Sequence, residues 1–246
     1  MPYLTVEEMR KNTDFVKKEL ISEESIEGGG SRFVGSTDAE LALKYFSKEG
    51  KILECGPASG MFTKFLQDHG YKDIHVLDFI DILKFPDRNN LIYHEIDFNK
   101  DVFPYADKYF DGVTAWGVME HMEDPYHFGR EVHRVLKNDH YFLMAVPSIF
   151  HWWSRLIFLK AGIFPRWNHR NNHISLFPHG VFEKILFRYF TLEKTIYTRP
   201  SFWLNIFDWT SKFAPANEWF GNYVVYVLKR KEFVPFKPKK NVGDRN

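Results

Sequence analysis

A chain of 246 residues, 44% hydrophobic and 18% aromatic, can bury a full core in one domain with length to spare for insertions. Its 33 Lys and Arg offset 32 Asp and Glu to a formal charge of +1, so no global field draws in nucleic acid or an anionic membrane, and a nucleic-acid substrate is disfavoured. The one cysteine, Cys55, excludes an internal disulfide framework and fits a reducing compartment; it stands in an apolar strand pattern and reads as a packed thiol.

Residues 1–20 alternate apolar and charged side chains and show no signal-peptide pattern, so cytoplasmic residence is expected. No stretch reaches the roughly 20 apolar residues that span a bilayer. The nearest, 149–164, is interrupted by His151, Arg155 and Lys160.

In chain order, residues 6–20 place apolar side chains at helical intervals, Gly28-Gly29-Gly30-Ser31 breaks the chain, and 37–46 resume a helical pattern. Residues 1–50 thus read as a helical approach to the main domain, 51–230. From Lys51 short β-rich runs alternate with helical ones, which predicts an α/β fold with a parallel sheet and crossover helices. The predicted strands are 51–55, 74–77, 91–95, 112–115, 141–146, 192–197 and 223–228; the predicted helices between them are 62–69, 126–136 and 181–189. The stretch 199–222 before the last strand is too irregular for one crossover helix, so an antiparallel final strand and a mixed seven-stranded sheet are expected.

Two inserts, 148–177 and 200–221, are rich in Trp and Phe yet lie outside the regular alternation. They are expected to meet near the substrate end of the sheet or to cover an edge. The tail, 231–246, is basic and contains proline, a composition that predicts disorder.

The turn Gly56-Pro57-Ala58-Ser59-Gly60 follows the first strand and opens a helix, where backbone can approach a ligand closely and helix N–H groups point at it. Alone it is common punctuation. Its spacing is not the G-x-G-x-x-G of dinucleotide sites, which argues against NAD or FAD and against an oxidoreductase.

The run K-I-L-E-C-G-P-A-S-G, then I-H-V-L-D-F, Y-H-E-I-D-F, Y-F-D-G-V-T-A-W-G-V-M-E-H-M-E-D-P and R-E-V-H-R-V-L-K-N-D-H-Y-F-L-M-A-V-P, together resemble class I S-adenosylmethionine-dependent methyltransferases of the small-molecule branch. The matching motifs cover residues 50–150 in family order. The resemblance implies a Rossmann-like, mostly parallel seven-stranded sheet flanked by helices, with S-adenosylmethionine as methyl donor and S-adenosylhomocysteine as product. It assigns Glu54, with Gly56, Ala58 and Gly60, to the methionine end of the cofactor. Asp78 is the match for the residue that binds both ribose hydroxyls, a task suited to a carboxylate at a strand's carboxyl end. Asp97 matches the residue that meets the adenine amino group, with Phe98 on the ring and Phe79 on its other face; Trp116, closing the fourth strand, completes the cofactor set.

Two departures stand out. Ala58 replaces the family's middle glycine, which is tolerable if its φ stays negative. Asn138-Asp139 replace the Pro-Gly after the helix, so one of them must supply the left-handed turn.

For an O-methylation, histidine suits the role of base at neutral pH. His121, after the fourth strand, is the first candidate and His173, within N-H-R-N-N-H, the second. No metal is expected: His169 and His173 are four apart but lack a helix signal or acidic partners. The aromatic insert puts His151, Ser154 and Arg155 on one helical face, as a lid over the crevice or a helix on the inner membrane surface through 149–164. A small-molecule, lipid-like or saccharide acceptor follows, O-methylation being favoured. A non-catalytic cofactor- or protein-binding module is the alternative.

Overall fold

The computed structural model describes residues 37–79, 81, 83–84, 88, 91–167, 173–198 and 215–235. The expected helix over 6–20 lies outside them, as does most of the insert 200–221.

Elements run α1 (Thr37–Tyr45), β1 (Lys51–Cys55), α2 (Met61–Asp68), β2 (Asp73–Asp78), β3 (Leu91–Glu95), β4 (Phe110–Trp116), a 3-10 turn (Met119–His121), α3 (Pro125–Val135), β5 (Leu136–Pro147), α4 (Trp152–Ala161), α5 (His179–Ile185), β6 (Phe190–Tyr197) and β7 (Tyr223–Arg230). The strands form one sheet in the order β3-β2-β1-β4-β5-β7-β6. All pairs from β3 to β5 are parallel, and β7 runs antiparallel to both β5 and β6. This is the mixed seven-stranded sheet that the element order predicts.

Alternation along the strands builds two cores. Leu53, Cys55, Phe142 and Met144 face α3 and α5 in one layer, with Phe128, Val132, Phe182 and Ile185. Ile52, Leu143 and Ala145 face α1 and α2 in the other, with Leu41, Ala42, Phe62 and Leu66. Because helices cover both faces, the central strands are buried nearly throughout and read as continuous apolar runs. The chain leaves β1 toward β2 and β3, then returns across it to β4. The carboxyl ends of β1 and β4 therefore flank a topological switch point, where open α/β sheets bind ligands.

Several expectations are corrected. α1 belongs to the domain rather than to an approach: Phe46, just beyond it, packs so close to β4 that a Cβ on Gly112 would lie 2.6 Å from its ring. Asp139 (φ 62°) is left-handed, as expected of one of the Asn138-Asp139 pair, but it lies inside β5, where the pairing with β4 shifts register; α3 itself ends at Val135, and the extended Leu136 leads straight into the strand. The helix expected over 181–189 stops at Ile185. The start of the tail is also held, for Lys231 and Val234 donate backbone hydrogen bonds to Tyr189 and Arg188.

α3 has its own start signal: Asp124 accepts from the His127 amide at 2.9 Å, and Pro125 fills the first turn. On its flank Glu131 accepts from the Phe103 amide (2.8 Å), while Arg134 donates to the Phe103 and Tyr105 carbonyls and pairs with Glu131. That clamp fixes the loop between β3 and β4. Among the described residues, no helix is long and apolar enough to cross a membrane.

Candidate active site

After Cys55 the chain turns left-handed at Gly56 (φ 69°), Ala58 (φ 50°) and Gly60 (φ 82°) before α2 begins. Gly56 is required twice over: its φ is positive, and a Cβ there would lie 2.6 Å from Val118. The condition set for Ala58 is not met, since its φ is positive, a strain of about 1–2 kcal/mol for an L-residue. α2 starts without a side-chain cap, so its first amides keep their capacity for an acceptor at the turn.

Glu54 is 2% exposed and accepts a hydrogen bond from Thr63 of α2 at 2.5 Å. Burial drives its carboxyl up to about 8 against the Thr63 hydrogen bond, with the Asp78 and Asp38 charges adding to the rise. A buried acid of this kind accommodates a cationic ligand group well. Beside it, burial pushes the Cys55 thiol well above its ordinary range, as suits a packed residue.

Asp78 closes β2, and its two oxygens accept from the Phe79 amide (2.7 Å) and the Ala58 amide (3.3 Å). The β1 turn and the β2 end are thus tied through one carboxylate. Phe79 is 38% exposed at the rim. Asp97 is buried; it accepts from the Asn99 amide (2.9 Å), and Lys100 lies 3.1 Å from its other oxygen. Phe98 follows Asp97, packed edge-on against Phe103 and Phe128. Trp116 ends β4 edge-on to Phe62, with its indole N–H buried and no acceptor among the described residues.

The fourth-strand side holds a second group. The 3-10 turn carries Glu120 and His121, and the Glu120 carbonyl accepts from the Ile174 and Ser175 amides at 2.8 and 3.0 Å. Ser175 also donates its hydroxyl to the Met122 carbonyl at 2.6 Å, and Trp167 donates its indole N–H to the Ser175 carbonyl. This zipper brings His173 against His121, ring centres 4.7 Å apart. Burial, helped by the neighbouring His121 and Arg166, lowers the His173 imidazole to about 4 although it hydrogen-bonds to the Arg166 backbone, so it is neutral at physiological pH. Glu120 is 1% exposed, and burial raises its carboxyl to about 8, against its own backbone hydrogen bond and the Arg166 charge. His169, four residues before His173, lies outside the described residues; the structure brings His173 together with His121 and Glu120. Glu120 was visible beside His121, but its burial was not.

The two aromatic inserts meet. Trp152 donates its amide to the Trp219 carbonyl (2.8 Å), Ser148 does so to Asn222, and Arg155 pairs with Glu218 while stacking over Trp219. His151 caps α4 by accepting from the Trp153 amide, so it does not share a binding face with Arg155. α4 buries Ser154 and leaves Trp153, Leu156 and Leu159 exposed, Leu159 by 81%.

Against known proteins, the methyltransferase domain family matches residues 34–189. The chain belongs to this family. The match starts ahead of α1, in keeping with that helix's place in the core. No curated protein matches the methyltransferase in sequence. Solved structures share its fold: the Burkholderia thailandensis 1,6-didemethyltoxoflavin-N1-methyltransferase with bound 1,6-didemethyltoxoflavin and S-adenosylhomocysteine is 13% identical, with 94% of this chain and 93% of that one covered (TM-score 0.60). An S-adenosylmethionine-dependent methyltransferase from Mesorhizobium loti is 15% identical, covering 80% and 99% (TM-score 0.57). Another from Archaeoglobus fulgidus is also 15% identical, covering 78% and 91% (TM-score 0.57). The chain is an S-adenosylmethionine-dependent enzyme with the class I methyltransferase fold.

The raised Glu54 carboxyl has a measurable sign. An unfolded glutamate ionises near its ordinary value of 4.5, whereas the folded one holds its proton to about 8, so between those values the folded protein binds more protons and stability falls as pH rises. Denaturant titrations of the cofactor-free protein from pH 5 to 8 should show a shallower fall for Glu54→Gln than for the parent; equal slopes would contradict the assignment.

Proposed function

We propose that this methyltransferase transfers the methyl group of S-adenosylmethionine to an oxygen of a small-molecule, lipid-like or saccharide acceptor, between a cofactor grip on β1 and β2 and a histidine pair after β4. The observation that carries this reading is the placement of Asp78: it ends β2 at the switch point, is held by the amide of Ala58 in the β1 turn, and offers a diol acceptor beside it.

In this reading Glu54 receives the ammonium of the methionine end, with the uncapped start of α2 near its carboxylate. Asp78 accepts from the ribose hydroxyls, Asp97 from the adenine amino group, and Phe79 covers the ring. Phe98 supports this wall from the core, and the Trp116 indole N–H gains an acceptor when the site fills. Bound there, S-adenosylmethionine supplies a methyl carbon activated by its sulfonium. The chain's own contribution is alignment and exclusion of water, and alignment is worth about 7–11 kcal/mol in favourable cases. His121 and His173 face the acceptor; a histidine base can contribute roughly 10²–10⁴-fold, and because burial lowers His173 to about 4 and makes it the weaker base, His121 is the one that takes the hydroxyl proton.

Calorimetry of the purified protein should detect S-adenosylhomocysteine binding, and Asp78→Ala should weaken it by at least about tenfold. Absence of binding heat at millimolar ligand would remove the cofactor grip. The acceptor class is read separately, by incubating the protein with labelled methyl donor and fractionated lysate: label is expected in small, lipid-extractable or saccharide material. Label confined to nucleic acid or protein would overturn that half of the reading.

The exposed apolar side of α4, bordered by Lys160, supports peripheral contact with a membrane surface on the cytoplasmic side. The protein should co-sediment with anionic phospholipid vesicles, and Leu159→Asp should reduce the bound fraction by at least about half. A parent protein that stays in the supernatant would refute the contact.

A further inference from the structure

Glu120, His121 and His173 each present one donor atom, and the three donors lie within 4.8 Å of one another. Two come from the turn after β4 and the third from the insert after β5, 52 residues along the chain; the Glu120 carbonyl holds both segments together through Ile174 and Ser175. We propose that these three side chains bind a divalent cation of the zinc type, and that the acceptor completes its coordination through oxygen.

Three observations carry the site. The donor set, two imidazoles and one carboxylate, is a known form of catalytic zinc site, in which three protein ligands leave a position for an exogenous oxygen. The second is Glu120 itself: its Oε2 is buried with no hydrogen-bond partner among the described residues, an arrangement that costs free energy and that a bound cation relieves. The third is the support around His173, whose ring hydrogen-bonds to the Arg166 backbone and packs against Trp167 at 5.4 Å. A metal-binding histidine ordinarily has such an outer partner, which fixes its tautomer and direction.

Geometry sets what must move. Donors about 2.0–2.1 Å from a tetrahedral zinc are roughly 3.3 Å apart. Closing from 4.8 Å therefore asks for about 1.5 Å of travel, within the reach of side-chain rotation in His121 and Glu120. Arg166 is the opposing charge. It stacks over Tyr223 at 4.6 Å, and its backbone rather than its guanidinium makes the His173 hydrogen bond.

The acceptor half of this inference rests on the reading of the His121–His173 side as the acceptor side. It narrows the substrate class to acceptors that can present a hydroxyl oxygen to the one position that three protein donors leave open on the cation. It also changes the part played by the histidines, from taking the acceptor's proton to holding the ion that makes that proton easier to lose.

The test uses the full chain, stripped with EDTA and titrated with zinc by calorimetry and with cobalt by visible absorption. One equivalent should bind, and His121→Asn, His173→Asn and Glu120→Gln should each weaken it by at least about tenfold, with S-adenosylhomocysteine binding and circular dichroism retained in at least His173→Asn. If the parent binds no zinc while S-adenosylhomocysteine still binds, the metal site is wrong and the methyltransferase reading stands. Zinc bound equally well by all three variants would likewise overturn it. Should a variant fail to fold, the parent protein decides: zinc must shift the ring resonances of His121 and His173, and unshifted rings refute the site. Zinc binding without S-adenosylhomocysteine binding would keep the metal site and discard the cofactor grip.

Discussion

β1 has a parallel neighbour on each side and helices on both faces, so the backbone from Ile52 to Cys55 is committed to the ladder and Ile52, Leu53 and Cys55 to packing. Only where the strand stops can its backbone depart from the sheet, and it does so at once, at Gly56. The chemistry is thereby confined to one edge of the sheet. β2 and β4 end beside the same edge because their registers with β1 are fixed over four or five residues each, and a slip of one would turn Glu54 to the opposite face.

This confinement explains the site's electrostatics. Glu54 and Glu120 follow or lie within buried strand and turn segments, and burial raises both carboxyls to about 8. The fold tolerates two poorly solvated acids at the same edge of the sheet, on opposite sides of the crevice. Structural acids elsewhere behave otherwise: Glu131 and Asp111 are held below their ordinary values by Arg134 and Lys137 despite partial burial.

Much of this was legible beforehand because its signals are local. The strands 51–55 and 91–95 appear with the bounds expected from their β-rich runs, and the family order of motifs carried the parallel sheet. Other features depend on distant chain. Whether Ala58 took a negative φ depended on how the β1 turn meets Asp78, and the packing of Phe98 depended on where Phe103 and Phe128 come to lie. The insert after β5 was recognisable as an insert, but its zipper to the 3-10 turn consists of backbone hydrogen bonds, which leave no compositional trace.

The protonated state of Glu54 has a consequence for how the enzyme is loaded. If that carboxyl receives the cofactor's ammonium, it must lose its proton as the cofactor enters, because the ionised form is the one the cation favours. Loading is then a proton-releasing reaction, and by linkage the apparent affinity rises with pH up to about 8. With one proton linked, each pH unit below that value would weaken donor binding by at most about tenfold, so in this reading a carboxylic acid buried in the fold also makes the donor's affinity depend on pH.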